Sequence, residues 1–185
     1  MYGVGNRGMC HIHPLEGMAY DSEKNNFGLI PYSVPDPETL DRFAEEGKGT
    51  IAKTLQDFGM LPDILGICKF YIYRGLGLSE LAELTSSLTG WGIDEKELLN
   101  IGERVFNLQR MFNVREGIGK KDDYIPERVC KLPEFGGYSS VPQCEIKDYQ
   151  RMLDEYYQAR GWSLETGIPT KEKLQQLDLG ALVKL

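Results

Sequence analysis

The chain has 185 residues, of which 41% are apolar and 26% charged, with a formal charge of −7 at neutral pH. That length and balance suit one globular domain with a substantial core. The acidic surplus leaves no basic excess to neutralise phosphates, which argues against a nucleic-acid binder, and no run approaches the roughly 18 apolar residues of a membrane span. Cys10, Cys68, Cys130 and Cys144 are scattered rather than spaced as a disulfide framework, and the N-terminus lacks a secretory pattern. A reducing, cytoplasmic setting is expected.

Residues 1–35 show neither helical period nor alternation; Gly, Asn and Pro punctuate them, so they read as irregular loop. Asp36 and Pro37 then predict a helix start, with Leu40, Phe43, Ile51, Leu55 and Phe58 at helical spacing and a break at Gly47 and Gly49. Gly59 and Pro62 are expected to end it. A second helix is predicted over 79–88, capped by Ser79. A third follows Asp94, which forms a capping-box-like start with Glu97. Its apolar stripe is read as Ile101, Val105, Leu108 and Phe112, widened by Leu98, Phe106 and Met111. A fourth spans about 146–160 and buries Tyr149, Met152, Leu153, Tyr156 and Tyr157, with Gly161 as its C′ residue. Thr170 caps a short last helix through Leu177. The fold class is therefore all-α, an irregular helical domain with long loops, and loops of that length usually carry function.

Three stretches bear chemistry. "NRGMCHIHP" holds both histidines, His11 and His13, beside Cys10. They read either as polar loop groups titrating near neutrality or as part of a zinc site, which lacks the fourth ligand that structural zinc needs. In "PDILGICKF", Asp63 needs a donor partner, supplied equally well by a cap amide or a ligand, while a lone Cys68 among apolar residues is more often inert packing. Arg104, Asn107, Arg110 and Arg115 read as a solvated or ion-paired helix face. Cys130 and Cys144 read as packing.

Taken together, "NRGMCH", "DILGICKF", "ELLNIGERVFNLQRMFNVREG", "DDYIPERV", "YYQARGW" and "TGIPTKEKLQQL" resemble, in order and spacing, the carboxy-terminal part of the tungsten-containing aldehyde ferredoxin oxidoreductases. The resemblance covers nearly the whole chain from Gly5 onward. It implies the last helical domain of a longer oxidoreductase, with 1–35 a cofactor-facing loop region and 36–185 the helical body. It also implies either that Met1 is not the start of the complete polypeptide or that the rest is encoded separately. The cofactors implied are a tungsten bis-pterin and a [4Fe–4S] cluster, both completed by residues outside this chain.

Residue by residue, Asp63 matches the acidic pterin-binding position, where a carboxylate accepts two adjacent N–H groups. Gly66 and Ile67 match the turn whose backbone lies against the cofactor, and Cys68 matches one cluster ligand. His11 matches the histidine beside tungsten, a proton donor or acceptor. His13 falls where a basic residue approaches the second pterin. The implied partners are the upstream domains, ferredoxin or another iron–sulfur subunit, and an aldehyde substrate. The continuation "HIHPLEGMAYD" departs from the aldehyde-oxidising branch and resembles equally the tungsten subunit of aromatic acyl-CoA reductases, whose substrate is an aromatic acyl-CoA. A non-catalytic helical interaction module is the remaining alternative. Apolar residues around Ile64 and Phe70 are expected to meet the upstream domains.

Overall fold

The computed structural model describes residues 1–10, 12, 27–32, 41 and 43–184, the last two by backbone alone. Among these, six α-helices form: α1 (Lys48–Leu65), α2 (Leu78–Thr89), α3 (Glu95–Arg115), α4 (Glu127–Cys130), α5 (Tyr149–Arg160) and α6 (Lys171–Gln176). Short 3-10 turns, including Tyr2–Val4 and Lys69–Arg74, punctuate the connections. No strand occurs among the described residues, and one antiparallel bridge pairs Trp162 with Pro169. The all-α expectation holds.

Helix α1 is central, packing on α3 and on α5. One face joins Leu55, Phe58 and Leu61 to Phe27, Leu29, Ile72, Leu78, Leu81 and Leu98 in the larger core. Ala52 and Met60 join Val4, Phe106, Leu153, Tyr156, Tyr157 and Trp162 in a second. Each fully buried side chain of this size contributes roughly 1.5–3 kcal/mol. Close approach of the helices requires two glycines. A Cβ on Gly102 of α3 would collide with the Asp57 carbonyl oxygen of α1, and one on Gly49 would lie 2.5 Å from the Tyr156 amide nitrogen of α5.

The helix ends follow local chemistry where a cap is present. The Asp94 carboxylate accepts from the Glu97 amide at 2.7 Å, Asp148 from Arg151 at 2.9 Å, and Thr170 from Lys173 at 3.2 Å. Gly161 closes α5 in the left-handed region at φ 67°. Elsewhere packing overrides the local signal. The expected helix start at Asp36 and Pro37 lies outside the described residues. Phe43 is not helical, and α1 begins only after Gly47. Gly59 and Pro62 do not end α1: both are buried within it, and Gly66 closes it by donating to the Pro62 carbonyl. Burial of Leu61 and Pro62 outweighs the hydrogen bond that proline cannot donate. Ser79 is not the cap of α2; Gly77 occupies that position, and its amide donates to the Glu80 carboxylate at 3.0 Å.

The stripe expected on α3 is rotated. Leu108 and Phe112 are 46% and 57% exposed, while Leu98, Leu99, Gly102, Phe106 and Met111 face inward. The reason is polar: Glu103, Asn107 and Arg110 are buried and occupy part of the inner face. The expected solvated face is accordingly split. Arg115 is exposed, and Arg104 is half-buried, donating to the Leu177 carbonyl at 2.8 Å. Arg110 forks onto Asp123 at 2.9 and 2.5 Å, and Asn107 accepts from the Trp162 indole at 2.8 Å.

Arg160 is the other buried guanidinium. It pairs with Asp57, donates to Gln56 Oε1 at 2.9 Å and to Tyr156 Oη at 3.0 Å, and lies 4.0 Å from the Phe106 ring centre. Lys53 bridges Asp57 at 2.9 Å to Glu103 at 3.1 Å, and Lys173 reaches Glu103 from α6 at 3.0 Å.

Two outcomes follow from this packing. Gly102→Ala should destabilise the chain by about 1–3 kcal/mol, because the obstruction is backbone and cannot rotate away. Thermal unfolding followed by circular dichroism checks it; an unchanged midpoint would contradict the close approach. The second concerns acid. Burial pushes the Glu103 carboxyl up, but Lys53, Lys173 and Arg160 outweigh it and hold the group below its ordinary value. A depressed carboxyl stabilises fully above its unfolded pKa of about 4.3, and that contribution is lost as pH falls through the lower folded value. Glu103→Gln should therefore cost about 2 kcal/mol at pH 7, roughly 4–8 °C in midpoint. The gap between variant and wild type should shrink as pH falls below about 4; a gap constant from pH 7 to pH 3 would refute the assignment.

Candidate functional site

The turn that leaves α1 collects most of the sequence-predicted site. Asp63 and Ile64 lie on the helix's last turn, so Asp63 is not a cap at a helix start. Gly66 takes the left-handed conformation, φ 69° and ψ 28°, and Ile67 donates its amide to the Pro62 carbonyl at 3.0 Å. Cys68 is extended and starts the 3-10 turn Lys69–Arg74, its carbonyl accepting from the Tyr71 amide at 3.1 Å. Ile72 is wholly buried and pins this turn to the larger core. The segment is thus rigid at both ends.

Its outward side is open. Asp63 and Cys68 are exposed, so Cys68 is not inert packing. Phe70 and Tyr71 are 75% and 63% exposed, and Ile64 also reaches solvent. A Cβ added to Gly66 would meet nothing within 4 Å. The helix end alone accounts for glycine here through its positive φ, and the same geometry leaves the backbone accessible to a partner.

A second segment converges on this turn. The N-terminal stretch is anchored by the Asn6 amide donating to the Phe106 carbonyl at 2.8 Å and by Asn113 donating to the Asn6 carbonyl at 2.8 Å. It continues to Ile12, whose carbonyl accepts from the Lys69 ammonium at 3.1 Å. Lys69 also pairs with Asp63 at 3.4 Å. Burial pushes the Lys69 ammonium pKa down, opposed by the Asp63 charge and by Cys10, while Arg7 adds to the lowering. The structure therefore brings Cys10 and Ile12 to the turn carrying Asp63, Gly66, Ile67 and Cys68. His11 and His13 lie outside the described residues. Lys69 is the residue that sequence reasoning missed: a lysine beside a cysteine carries no signal by itself.

Cys130, at the end of α4, and Cys144, at the end of the 3-10 turn Pro142–Cys144, are half-buried. Among the described residues, no group of three or more His, Cys, Asp or Glu side chains is placed to hold a metal ion. Cys68 thus offers a single soft thiol, and an iron cluster held there would draw other ligands from elsewhere. A groove of about 540 Å³ lies apart from this turn, between Arg7, Met111, Phe112 and Leu182.

An exposed carboxylate and an exposed thiol on one rigid turn suit a ligand presenting N–H groups at one end and a thiophilic metal at the other. Comparison with known proteins gives the family. The family model for aldehyde ferredoxin oxidoreductase, domains 2 & 3, matches residues 1–179, and the chain belongs to this family. The tungsten-containing aldehyde ferredoxin oxidoreductase of Pyrococcus furiosus is 31% identical over 180 residues, covering 96% of this chain and 27% of that protein. Its counterpart from Pyrococcus abyssi is 32% identical over 179 residues with the same coverage. The chain thus spans about a quarter of the length of these relatives. Among solved structures, the active-site complex BamBC of benzoyl coenzyme A reductase with 1,5-dienoyl-CoA superposes with a TM-score of 0.59. The match is 22% identical, covers 79% of this chain and 21% of that one, and describes a shared fold.

The exposure of Cys68 makes a direct prediction. Under native conditions an alkylating reagent should modify Cys68 faster than Cys130 or Cys144, which mass spectrometry of peptides from the reduced chain resolves. Slower labelling of Cys68 than of both others would contradict the open turn.

Proposed function

We propose that this chain is the carboxy-terminal part of a tungsten bis-pterin, iron–sulfur oxidoreductase that oxidises aldehydes to carboxylic acids, with ferredoxin as electron acceptor. Residues 1–35 form its cofactor-facing loop region and 36–185 its helical body. The observation that supports this best is the turn from Asp63 to Cys68: in a member of this family, a carboxylate, an open backbone and an exposed thiol share one rigid segment. When bound, the pterin-held tungsten supplies two-electron redox chemistry and the cluster passes electrons singly.

The chain's own residues bind, orient and move protons. Asp63 accepts hydrogen bonds from adjacent N–H groups of the pterin edge, a charge-assisted contact stronger than a neutral one. Gly66 and Ile67 present backbone against the same ligand. Cys68, as a thiolate, ligates one iron of the [4Fe–4S] cluster. Converting an aldehyde and water to an acid releases two protons with two electrons, and the His11 imidazole takes or gives a proton near neutral pH. His13 contacts the second pterin. The remaining length seen in the relatives supplies the other cluster ligands and covers Ile64, Phe70 and Tyr71. A reducing, cytoplasmic compartment suits exposed thiols and such a cluster.

The alternative substrate, an aromatic acyl-CoA reduced rather than an aldehyde oxidised, uses the same residues with electrons flowing the other way. The BamBC likeness is one of fold and leaves the substrate to experiment.

Metal analysis and turnover on the complete, anaerobically purified polypeptide test the proposal. Cys68→Ala should lose iron while keeping most tungsten, and Asp63→Ala should do the reverse. His11→Asn should keep both metals and lose 10²- to 10⁴-fold in turnover, roughly 3–5 kcal/mol of barrier. Wild-type protein without tungsten would overturn the cofactor reading. Turnover of acyl-CoA but not aldehyde would transfer the assignment to the reductase branch. A His11→Asn enzyme with unchanged rate and pH profile would remove His11 from the chemistry.

A further inference from the structure

We propose that Lys69 is a positioning residue: its ammonium ties the Asp63 carboxylate to the Ile12 peptide and so holds the two cofactor-facing stretches in register. The inference rests on the tungsten-pterin reading above.

The geometry carries it. Lys69 Nζ lies 3.4 Å from Asp63 Oδ2 and 3.1 Å from the Ile12 carbonyl oxygen, two acceptors on segments far apart in sequence. The Lys69 side chain is 11% exposed against 48% for Asp63, so the lysine is the enclosed and the carboxylate the outward member of the pair. Its backbone opens the 3-10 turn fixed by buried Ile72, which gives the ammonium a firm base. The Ile12 side chain is 60% exposed, so its own burial holds this peptide weakly and the bond to its carbonyl adds to its attachment.

An ammonium has three donors and no acceptor, which suits a bridge between a carbonyl and a carboxylate. Its positive charge also faces the carboxylate that the cofactor reading assigns to the ligand's N–H groups. Residues that orient a ligand-binding group in this way typically matter 10- to 100-fold for retention of what it holds. Sequence position adds a consequence. Lys69 follows Cys68 directly, so one side chain links the pterin-facing carboxylate, the N-terminal loop and the thiol-bearing backbone.

The test uses the complete polypeptide as wild type, Lys69→Met, Lys69→Arg, Asp63→Asn and the Lys69→Met/Asp63→Asn double variant. Tungsten and iron per chain are measured after dialysis, together with hydrogen exchange of the peptide spanning residues 8–14. Lys69→Met keeps the stem and removes the ammonium. It should lower tungsten retention about tenfold or more, leave iron at the wild-type level and speed exchange in the 8–14 peptide. Lys69→Arg should restore both readouts. The double variant should lose no more tungsten than Asp63→Asn alone, because the lysine acts through that carboxylate.

Wild-type-like tungsten and exchange in Lys69→Met would overturn the proposal. So would equal loss of iron and tungsten without rescue by arginine, which marks a general folding role, or full additivity in the double variant. A wild-type protein lacking tungsten would overturn the cofactor reading and this proposal with it; a loaded wild type beside an indifferent Lys69→Met overturns this proposal alone.

Discussion

A guanidinium with no exposed surface has to be neutralised and hydrogen-bonded where it lies, and Arg160 sets that requirement at the centre of this fold. Its partners come from particular places on two neighbouring helices and on its own. Asp57, Gln56 and the Lys53 carbonyl fix α1 against α5, the Tyr156 hydroxyl braces the guanidinium one turn back along its own helix, and the Phe106 ring of α3 covers it. The Tyr156 hydroxyl also donates to Gln56 at 2.6 Å, and burial pushes its pKa up to about 12, so it stays a neutral donor. Sliding any of these helices would strand a charge, which costs about 3–5 kcal/mol. The ion pair specifies an arrangement more than it adds net stability.

Arg110 repeats the logic where the later loops meet α3. Its fork on Asp123, its Nε bond to the Gly167 carbonyl at 3.0 Å and the Tyr157 hydroxyl on the same carboxylate tie the chain after α3 to α5 and to the loop before α6. Between the two arginines the Trp162 ring faces Arg110 at 4.7 Å while its indole nitrogen donates to Asn107. The stretch "YYQARGW" is therefore the polar framework of the core, in which Tyr156, Tyr157, Arg160 and Trp162 all have assigned partners, and Gly161 is the turn that lets helix and loop both reach them.

What the sequence made legible was local. Asp94, Thr170 and Gly161 announce helix ends because a cap needs only its immediate neighbours, and those expectations hold. Pro62 misleads because the decision to continue α1 belongs to the core it packs into, not to the proline. The α3 stripe misleads for a related reason: Arg110 and Asn107 read outward by residue type, and only their partners at Asp123 and Trp162 bring them in. The site divides in the same way. Asp63 and Cys68 were legible through the resemblance of "DILGICKF", whereas Lys69 was not, because the carbonyl it holds lies 57 residues earlier in the chain.

The two kinds of ion pair in this chain have opposite consequences for binding. Asp57 and Asp123 are 3% and 6% exposed and saturated by arginine, so no ligand can reach them. Asp63, on the same helix as Asp57 and 48% exposed, pairs with Lys69 at 3.4 Å where water screens the attraction. Such pairs are worth about 1 kcal/mol or less, enough to orient a carboxylate and too little to withhold it from a better partner. Helix α1 thus carries a locked charge in its middle and an exchangeable one at its end. The rigidity imposed by Arg160 on the first is what gives the second a fixed place at the surface.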